Sequence, residues 1–124
     1  LNKFDRYIIK YTLKNGGGYL LFTFKGKYDF DESIELMHSI KSICIEKNVF
    51  KILVDTCQVD KQSLSNLNRF NMGVEAGKTL NSKIQVAVLD NKKDINHFFE
   101  LSANNRSAYV KVSSNKKELL DWLS

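Results

Sequence analysis

The chain has 124 residues, a mass of 14.3 kDa and a formal net charge of +5. Its 43% apolar and 27% charged residues are typical of an ordinary folded domain and argue against a disordered, collagen-like or coiled-coil protein. No apolar run approaches the roughly 18 residues that cross a bilayer, so we expect no membrane span. One domain over residues 1–124 is predicted.

Basic and sulfur-bearing side chains are scattered along the sequence. Lysines run from Lys3 to Lys117 without forming a stripe, so no nucleic-acid partner is predicted. Cys44 and Cys57 form no C-x-x-C pair, which favours free, reduced thiols and no metal site. Reduced thiols and the lack of a recognisable leader predict a cytoplasmic protein, and no motif implies a cofactor.

The first two apolar segments, residues 7–13 and 19–24, lie on either side of a glycine-rich turn at residues 15–18. Glycine adopts positive φ values without a Cβ penalty, so the turn predicts an antiparallel hairpin. The glycines lack the Lys-Ser/Thr and the helix that a phosphate-binding loop requires. The first strand is therefore expected at an antiparallel edge of a sheet.

Three further apolar runs, residues 50–55, 83–90 and 108–112, are short and rich in branched side chains. Such runs between helices are typical of buried parallel strands. Strands that alternate with helices imply right-handed crossovers and a mainly parallel core. The sequence thus predicts an α/β fold with a mixed, mainly parallel sheet of about five strands and about four helices.

The first and last helical patterns carry clear start signals. Asp29 precedes an apolar stripe with spacings of three and four that runs to about Lys47, so Asp29 is predicted as the helix cap. Ser114 or Asn115 is predicted to cap the final short helix, and Asn115 with Glu118 fits a capping box.

The two middle helices are less regular. The second is predicted over residues 63–80. Its apolar surface is expected from Leu64, Leu67, Phe70 and Val74, with Met72 as a further candidate. Gly73 and Gly77 lie four residues apart, which favours a close approach of this helix to the sheet. Asp94 is predicted to cap the third helix.

Certain landmarks resemble the STAS domain family, the domain shared by bacterial anti-sigma-factor antagonists and the cytoplasmic tails of sulfate transporters. They are Phe24-Lys25-Gly26 leading into Phe30-Asp31, the strands at residues 51–55 and 86–89, and the ending at residues 118–123. The order of elements is similar over nearly the whole chain. More narrowly, the chain resembles the SpoIIAA-like branch of small stand-alone bacterial proteins.

The resemblance implies a partner-binding site after the central strand. In the antagonists a serine there, in an Asp-Ser-Ser-Gly-like sequence, is phosphorylated by the cognate anti-sigma kinase. Residues 59–65 of this chain read Val-Asp-Lys-Gln-Ser-Leu-Ser, which makes Ser63 and then Ser65 the candidate phosphorylated or partner-binding residues. Asp55, expected at the carboxyl end of the central strand, is a third candidate. Ser63 as a plain helix cap and Asp55 as a loop-stabilising acceptor remain the alternatives.

No catalytic or metal-binding residue is predicted. The two histidines, His38 and His97, fall on separate predicted helices without metal-ligand spacing, and no G-x-S-x-G or nucleotide loop occurs. We therefore expect a protein that is not an enzyme. A cleft that joined Asp55, Asp90 and a histidine would favour catalysis instead.

Two functions remain open. The first is a non-enzymatic regulatory domain that binds an unidentified protein partner, with or without a working phosphoswitch, as a monomer or a homodimer. The second is a domain for a small apolar ligand or lipid, because the SpoIIAA-like branch also resembles the lipid-transfer fold of the SEC14 type in topology. The side chains proposed to line its pocket are Phe30, Phe50, Phe70, Met72, Phe98 and Phe99.

Overall fold

A computed structural model describes residues 9–12, through their backbone, and residues 17–124. The strands are β1 (Ile9–Thr12), β2 (Gly18–Lys27), β3 (Lys51–Asp60), β4 (Gln85–Leu89) and β5 (Tyr109–Ser113). The helices are α1 (Phe30–Lys47), α2 (Asn66–Thr79), α3 (Phe98–Asn104) and α4 (Lys116–Leu123). The predicted α/β class, with four helices and a parallel sheet, is confirmed. The hairpin turn predicted at residues 15–18 lies partly outside the described residues.

The strands follow one another across the sheet in the order β1-β2-β3-β4-β5. Strands β2 to β5 are parallel, and β1 pairs antiparallel with β2 as the hairpin pattern predicts. When parallel strands are added in sequence order, right-handed crossovers place all connecting helices on one face. Helices α1, α2 and α3 accordingly share one face of the sheet, and α4 packs on the other.

Side-chain alternation along the strands creates a core on each face. On the face of α1 to α3, Leu20, Phe22 and Ile52 are fully buried. On the opposite face, Leu53 is buried together with Leu119 of α4.

A β-bulge extends β3 beyond its predicted end. Thr23 of β2 lies opposite Asp55 and Lys25 lies opposite Gln58, so two β3 residues oppose the one β2 residue between them. Beyond this bulge, β3 pairs with β2 alone as far as Asp60. The prediction that the strand ends at Asp55 was wrong, because the pairing with β2 continues where β4 stops.

The ends of α1 and α4 agree with their predicted caps. The side chain of Asp29 accepts a hydrogen bond from the Glu32 amide, and that of Asn115 accepts one from the Glu118 amide. The predicted Asp94 cap was wrong. Asp94 ends a 3-10 turn at Lys92–Asp94, and α3 begins only after His97.

The two glycines of α2 face another helix and not the sheet. A Cβ on Gly73 would lie 2.6 Å from Cβ of Ser102, and one on Gly77 would lie 2.6 Å from the carbonyl oxygen of Arg106. Both contacts belong to α3 or the turn after it. The close approach predicted from the glycines therefore exists, but it brings α2 against α3.

Candidate ligand-binding cavity

A cavity of about 470 Å³ lies between the sheet and the helices α1 to α3, toward the carboxyl ends of the strands. Small-molecule sites typically measure about 300–1,000 Å³, and parallel α/β sheets commonly bind ligands at this end. Apolar side chains from the sheet and the helices form its walls: Phe24, Leu36, Met37, Ile40, Ile52, Val54, Leu64, Met72, Leu80, Val86, Val88, Ile95, Phe99 and Val112.

The aromatic residues predicted for a pocket are only partly those of this cavity. Phe99 and Met72 line it, whereas the other four predicted residues, Phe30, Phe50, Phe70 and Phe98, do not. Phe70 and Phe98 are exposed on α2 and α3. The pocket proposed from the sequence was therefore wrong in most of its residues, because aliphatic side chains from both the sheet and the helices supply most of the wall.

A buried ion pair joins the loop after β3 to the end of β4. Lys61 Nζ lies 2.8 Å from Asp90 Oδ1, and each side chain is only 7% exposed. The same ammonium group donates to the carbonyl oxygens of Thr56 and Val59, at 2.6 Å and 3.2 Å. Both charged residues line the cavity. A buried charge with these partners is fixed in place, so the pair holds the loop against the sheet.

Tyr28, just beyond β2, brings a hydroxyl group to the cavity wall. Its Oη donates a hydrogen bond to Met72 Sδ at 3.2 Å, and a thioether is a weak acceptor. Burial is the largest cause that raises the pKa of Tyr28, while the positive charge of Arg69 acts in the opposite direction. The hydroxyl therefore stays protonated at neutral pH and is available as a donor.

Arg69 of α2 presents a charged side chain to the same cavity. It is half-buried, and its Nε atom is fully buried without a hydrogen-bond acceptor in the described part of the chain. An unpaired buried donor of this kind costs about 1–3 kcal/mol. Within the described residues, Arg69 thus stands apart from Lys61, whose charge is neutralised by Asp90.

A histidine and a carboxylate form a second polar pair at the rim. His97 Nδ1 lies 2.8 Å from Glu100 Oε1, and Glu100 Oε2 accepts a hydrogen bond from the Val112 amide. His97 and Asp90 both line the cavity. Asp55 does not, so the three groups whose convergence would favour catalysis are not brought together.

The two candidate serines have different roles in the loop between β3 and α2. Ser65 is the helix cap, because its Oγ accepts a hydrogen bond from the Asn68 amide at 3.0 Å. Ser63 lies before the helix and is exposed, with its Oγ donating to the Tyr28 carbonyl oxygen at 3.3 Å. The alternative that Ser63 caps the helix was wrong; its hydroxyl remains on the surface of the loop.

Asp55, the third candidate, lies within β3. Its Oδ1 accepts a hydrogen bond from the Cys57 amide at 3.0 Å.

Burial raises the pKa of Cys57 to about 11, with the Asp55 hydrogen bond as the next cause. Cys57 and the buried Cys44 are both free, and burial also raises the pKa of Cys44 to about 11. Neither thiol is activated as a nucleophile at neutral pH.

Within residues 17–124, no three His, Cys, Asp or Glu side chains are grouped so that they could hold a metal ion. None of the described helices combines the length and the apolar character that a bilayer span requires.

Sequence reasoning missed Arg69 although a signal was present. Arg69, Met72, Ala76 and Leu80 follow one another at spacings of three and four, and Ala76 and Leu80 are buried. Two of the predicted apolar contacts of α2 were wrong, since Leu67 is 67% exposed and Phe70 is 39% exposed, whereas Met72 packs against the core as predicted. The arginine therefore occupies the inward stripe, where a charged residue is unusual.

Comparisons with known proteins identify the fold. No protein-family model and no curated protein matches the sequence. The structure matches that of an uncharacterized protein of the DUF3478 family with a SpoIIAA-like fold from Shewanella loihica PV-4. The TM-score is 0.57 with 17% identity, and the match covers 94% of this chain and 92% of the other. The SpoIIAA-like resemblance is confirmed as a likeness of fold, and the match carries no function.

Proposed function

We propose that the chain is a non-enzymatic binding domain whose ligand is a small, mainly apolar molecule held between the sheet and helices α1 to α3. The observation that carries this proposal is the cavity of about 470 Å³ and its apolar wall. Burying apolar ligand surface there contributes roughly 25 cal/mol per Å², so the wall favours a hydrophobic ligand. Asp90 is engaged by Lys61 and Asp55 lies outside the cavity, which supports binding without catalysis.

A cavity-filling substitution tests this proposal. Val88 lines the cavity, so Val88→Trp is expected to fill part of it and to weaken binding of the neutral fluorescent probe N-phenyl-1-naphthylamine about tenfold or more. Wild-type protein is expected to bind one probe molecule saturably. Fluorescence titration measures both affinities.

Leu67→Trp is the matched control, because it adds the same side chain at an exposed position outside the cavity. It is expected to bind the probe like the wild type. Urea unfolding of both variants checks that they are folded. Absence of saturable binding to the wild type, or equal binding by folded Val88→Trp, contradicts a ligand in this cavity.

A regulatory domain that binds a protein partner is the second candidate. Ser63 is exposed in the loop after β3, and large apolar side chains are exposed on the adjacent helices α2 and α3: Leu67, Phe70, Phe98 and Leu101. Exposed apolar side chains on neighbouring elements favour a protein contact. A phosphate on Ser63 would add about −1.5 to −2 charges beside this surface.

Mass spectrometry combined with affinity capture tests the second candidate. Protein isolated from its source organism is digested and analysed for phosphate on Ser63, and the Ser63→Asp and wild-type proteins are compared as baits. A partner that wild-type protein captures and Ser63→Asp releases is expected. Unmodified Ser63 together with identical captures would contradict a switch at this residue.

A further inference from the structure

The position of Arg69 indicates more about the ligand than its apolar character. The guanidinium borders the cavity, and its buried Nε has no acceptor in the described part of the chain. Most of the wall is apolar, and of the acidic residues near the start of α1 that also line it, Asp29 is exposed and Glu32 is half-buried. A ligand that filled only the apolar space would leave the arginine unpaired.

Three other charged residues of the cavity wall that are buried or half-buried, Lys61, Asp90 and Glu100, already have partners. Lys61 pairs with Asp90, Glu100 accepts from the Val112 amide and pairs with His97, and Asp29 caps α1. Lys25 and Lys27 also line the cavity, but both are exposed, so Arg69 is the half-buried cation at this site with a buried donor that lacks an acceptor among the described residues. A guanidinium offers donors in a planar fork that matches a carboxylate.

Tyr28 supplies a second donor near Arg69. Its hydroxyl donates to the sulfur of Met72, and an oxyanion is a far stronger acceptor than a thioether. Rotation of the hydroxyl hydrogen toward an anion would exchange a weak hydrogen bond for a strong one. Arg69 and Tyr28 thus form a small polar corner in an otherwise apolar cavity.

We propose that the ligand is amphipathic, with an aliphatic or aromatic body in the cavity and a singly charged carboxylate head bound by Arg69 and Tyr28. This inference rests on the proposed function, because it assumes that the cavity binds a ligand. One half-buried cation with an unsatisfied donor matches one negative charge. A carboxylate suits this corner better than a phosphate monoester, because the other buried cation of the wall, Lys61, is already paired with Asp90, and Lys25 and Lys27 are exposed to solvent.

Matched ligands of one chain length test the head group. Isothermal titration with dodecanoate, dodecanol and dodecyl phosphate compares a carboxylate, a neutral head and a more highly charged head on the same body. Dodecanoate is expected to bind wild-type protein on the order of 10- to 100-fold more tightly than dodecanol, the range of a charged hydrogen bond. Tighter binding of dodecyl phosphate than of dodecanoate would overturn the carboxylate assignment.

Removing the arginine isolates its role. Arg69→Met is expected to reduce dodecanoate affinity on the order of 10- to 100-fold and to leave dodecanol affinity nearly unchanged. Arg69→Lys is expected to recover part of the loss, since it restores the charge without the fork. Lys78→Met is the control, because it removes one exposed charge from the same helix outside the cavity.

The results of these titrations distinguish a failure of the head-group proposal from a failure of the proposed ligand-binding function. If wild-type protein binds neither dodecanoate nor dodecanol, the proposed function fails. If both bind equally well and Arg69→Met changes neither, the cavity binds apolar ligands but the head-group inference is overturned. An equal loss for both ligands in Arg69→Met would show a structural role and would also overturn it.

Discussion

Lys61 and Asp90 illustrate what a single buried pair does for the site. The ammonium and carboxylate groups are 2.8 Å apart, and both side chains are only 7% exposed. Their mutual attraction offsets the loss of hydration only while both partners are present. The pair therefore acts as a clamp between the loop after β3 and the end of β4, beside the cavity.

Breaking this pair is expected to destabilise the fold strongly. Lys61→Met should lower the free energy of unfolding by about 3–5 kcal/mol, because it leaves the Asp90 carboxylate buried without its cation. Urea unfolding at pH 7 measures the change. The more exposed pair Lys111–Glu118 is the control, and Lys111→Met should cost less than about 1 kcal/mol. Similar small losses in both variants would contradict the clamp.

The sequence shows that these residues are charged, but it does not show which of them pair with each other. Asp90 is the last residue of a predicted strand, and Lys61 is one of many lysines scattered along the sequence. Lys61 follows β3 and Asp90 follows β4, so no short-range sequence pattern predicts their contact. Arg69 was more accessible to prediction, because its helical spacing with Met72 and Ala76 already places it on an inward stripe.

At the scale of elements, the start of α2 separates the two candidate serines. Ser65→Ala should lower the free energy of unfolding by about 1 kcal/mol, since it removes the side chain that accepts from the Asn68 amide. Ser63→Ala should stay within about 0.5 kcal/mol of the wild type, because the exposed hydroxyl makes one long hydrogen bond. Thermal unfolding compares the two. A larger loss in Ser63→Ala would contradict the assigned cap.

The packing of α2 on α3 makes a second element-scale prediction. Alanine favours helices over glycine by about 1 kcal/mol, yet Gly73→Ala should destabilise the protein by about 1–3 kcal/mol. Its Cβ would lie 2.6 Å from Cβ of Ser102 and 2.7 Å from the Ala103 amide nitrogen. Asn71→Ala, at an exposed position of the same helix, should be neutral or slightly stabilising. Urea unfolding in which Gly73→Ala is as stable as the wild type would contradict the close contact.

The order of strands and helices was predictable because each one has its own hydrophobic periodicity and is bounded by turn or capping residues. The bulge in β3 was not, since it depends on pairing with β2 and follows from no residue in the segment itself. The same limit explains why the strand was predicted to end at Asp55. The glycines of α2 correctly indicated a close approach, but the identity of the neighbour depended on how the helices are arranged on the sheet.

For the whole molecule, sequential addition of parallel strands explains both the fold and its cavity. Helices α1 to α3 share one face, and β2 and β3 continue past the end of β4. The SpoIIAA-like fold followed from the order of elements. The cavity could not be predicted, because its volume depends on the spacing between layers, to which residues from distant segments contribute.

Native mass spectrometry of protein isolated from its source organism shows whether the cavity holds a ligand. We expect a folded species heavier than the polypeptide by the mass of one small carboxylic acid, and the bare polypeptide mass after denaturation of the same sample. An identical bare mass under both conditions would contradict the claim that this cavity holds a ligand.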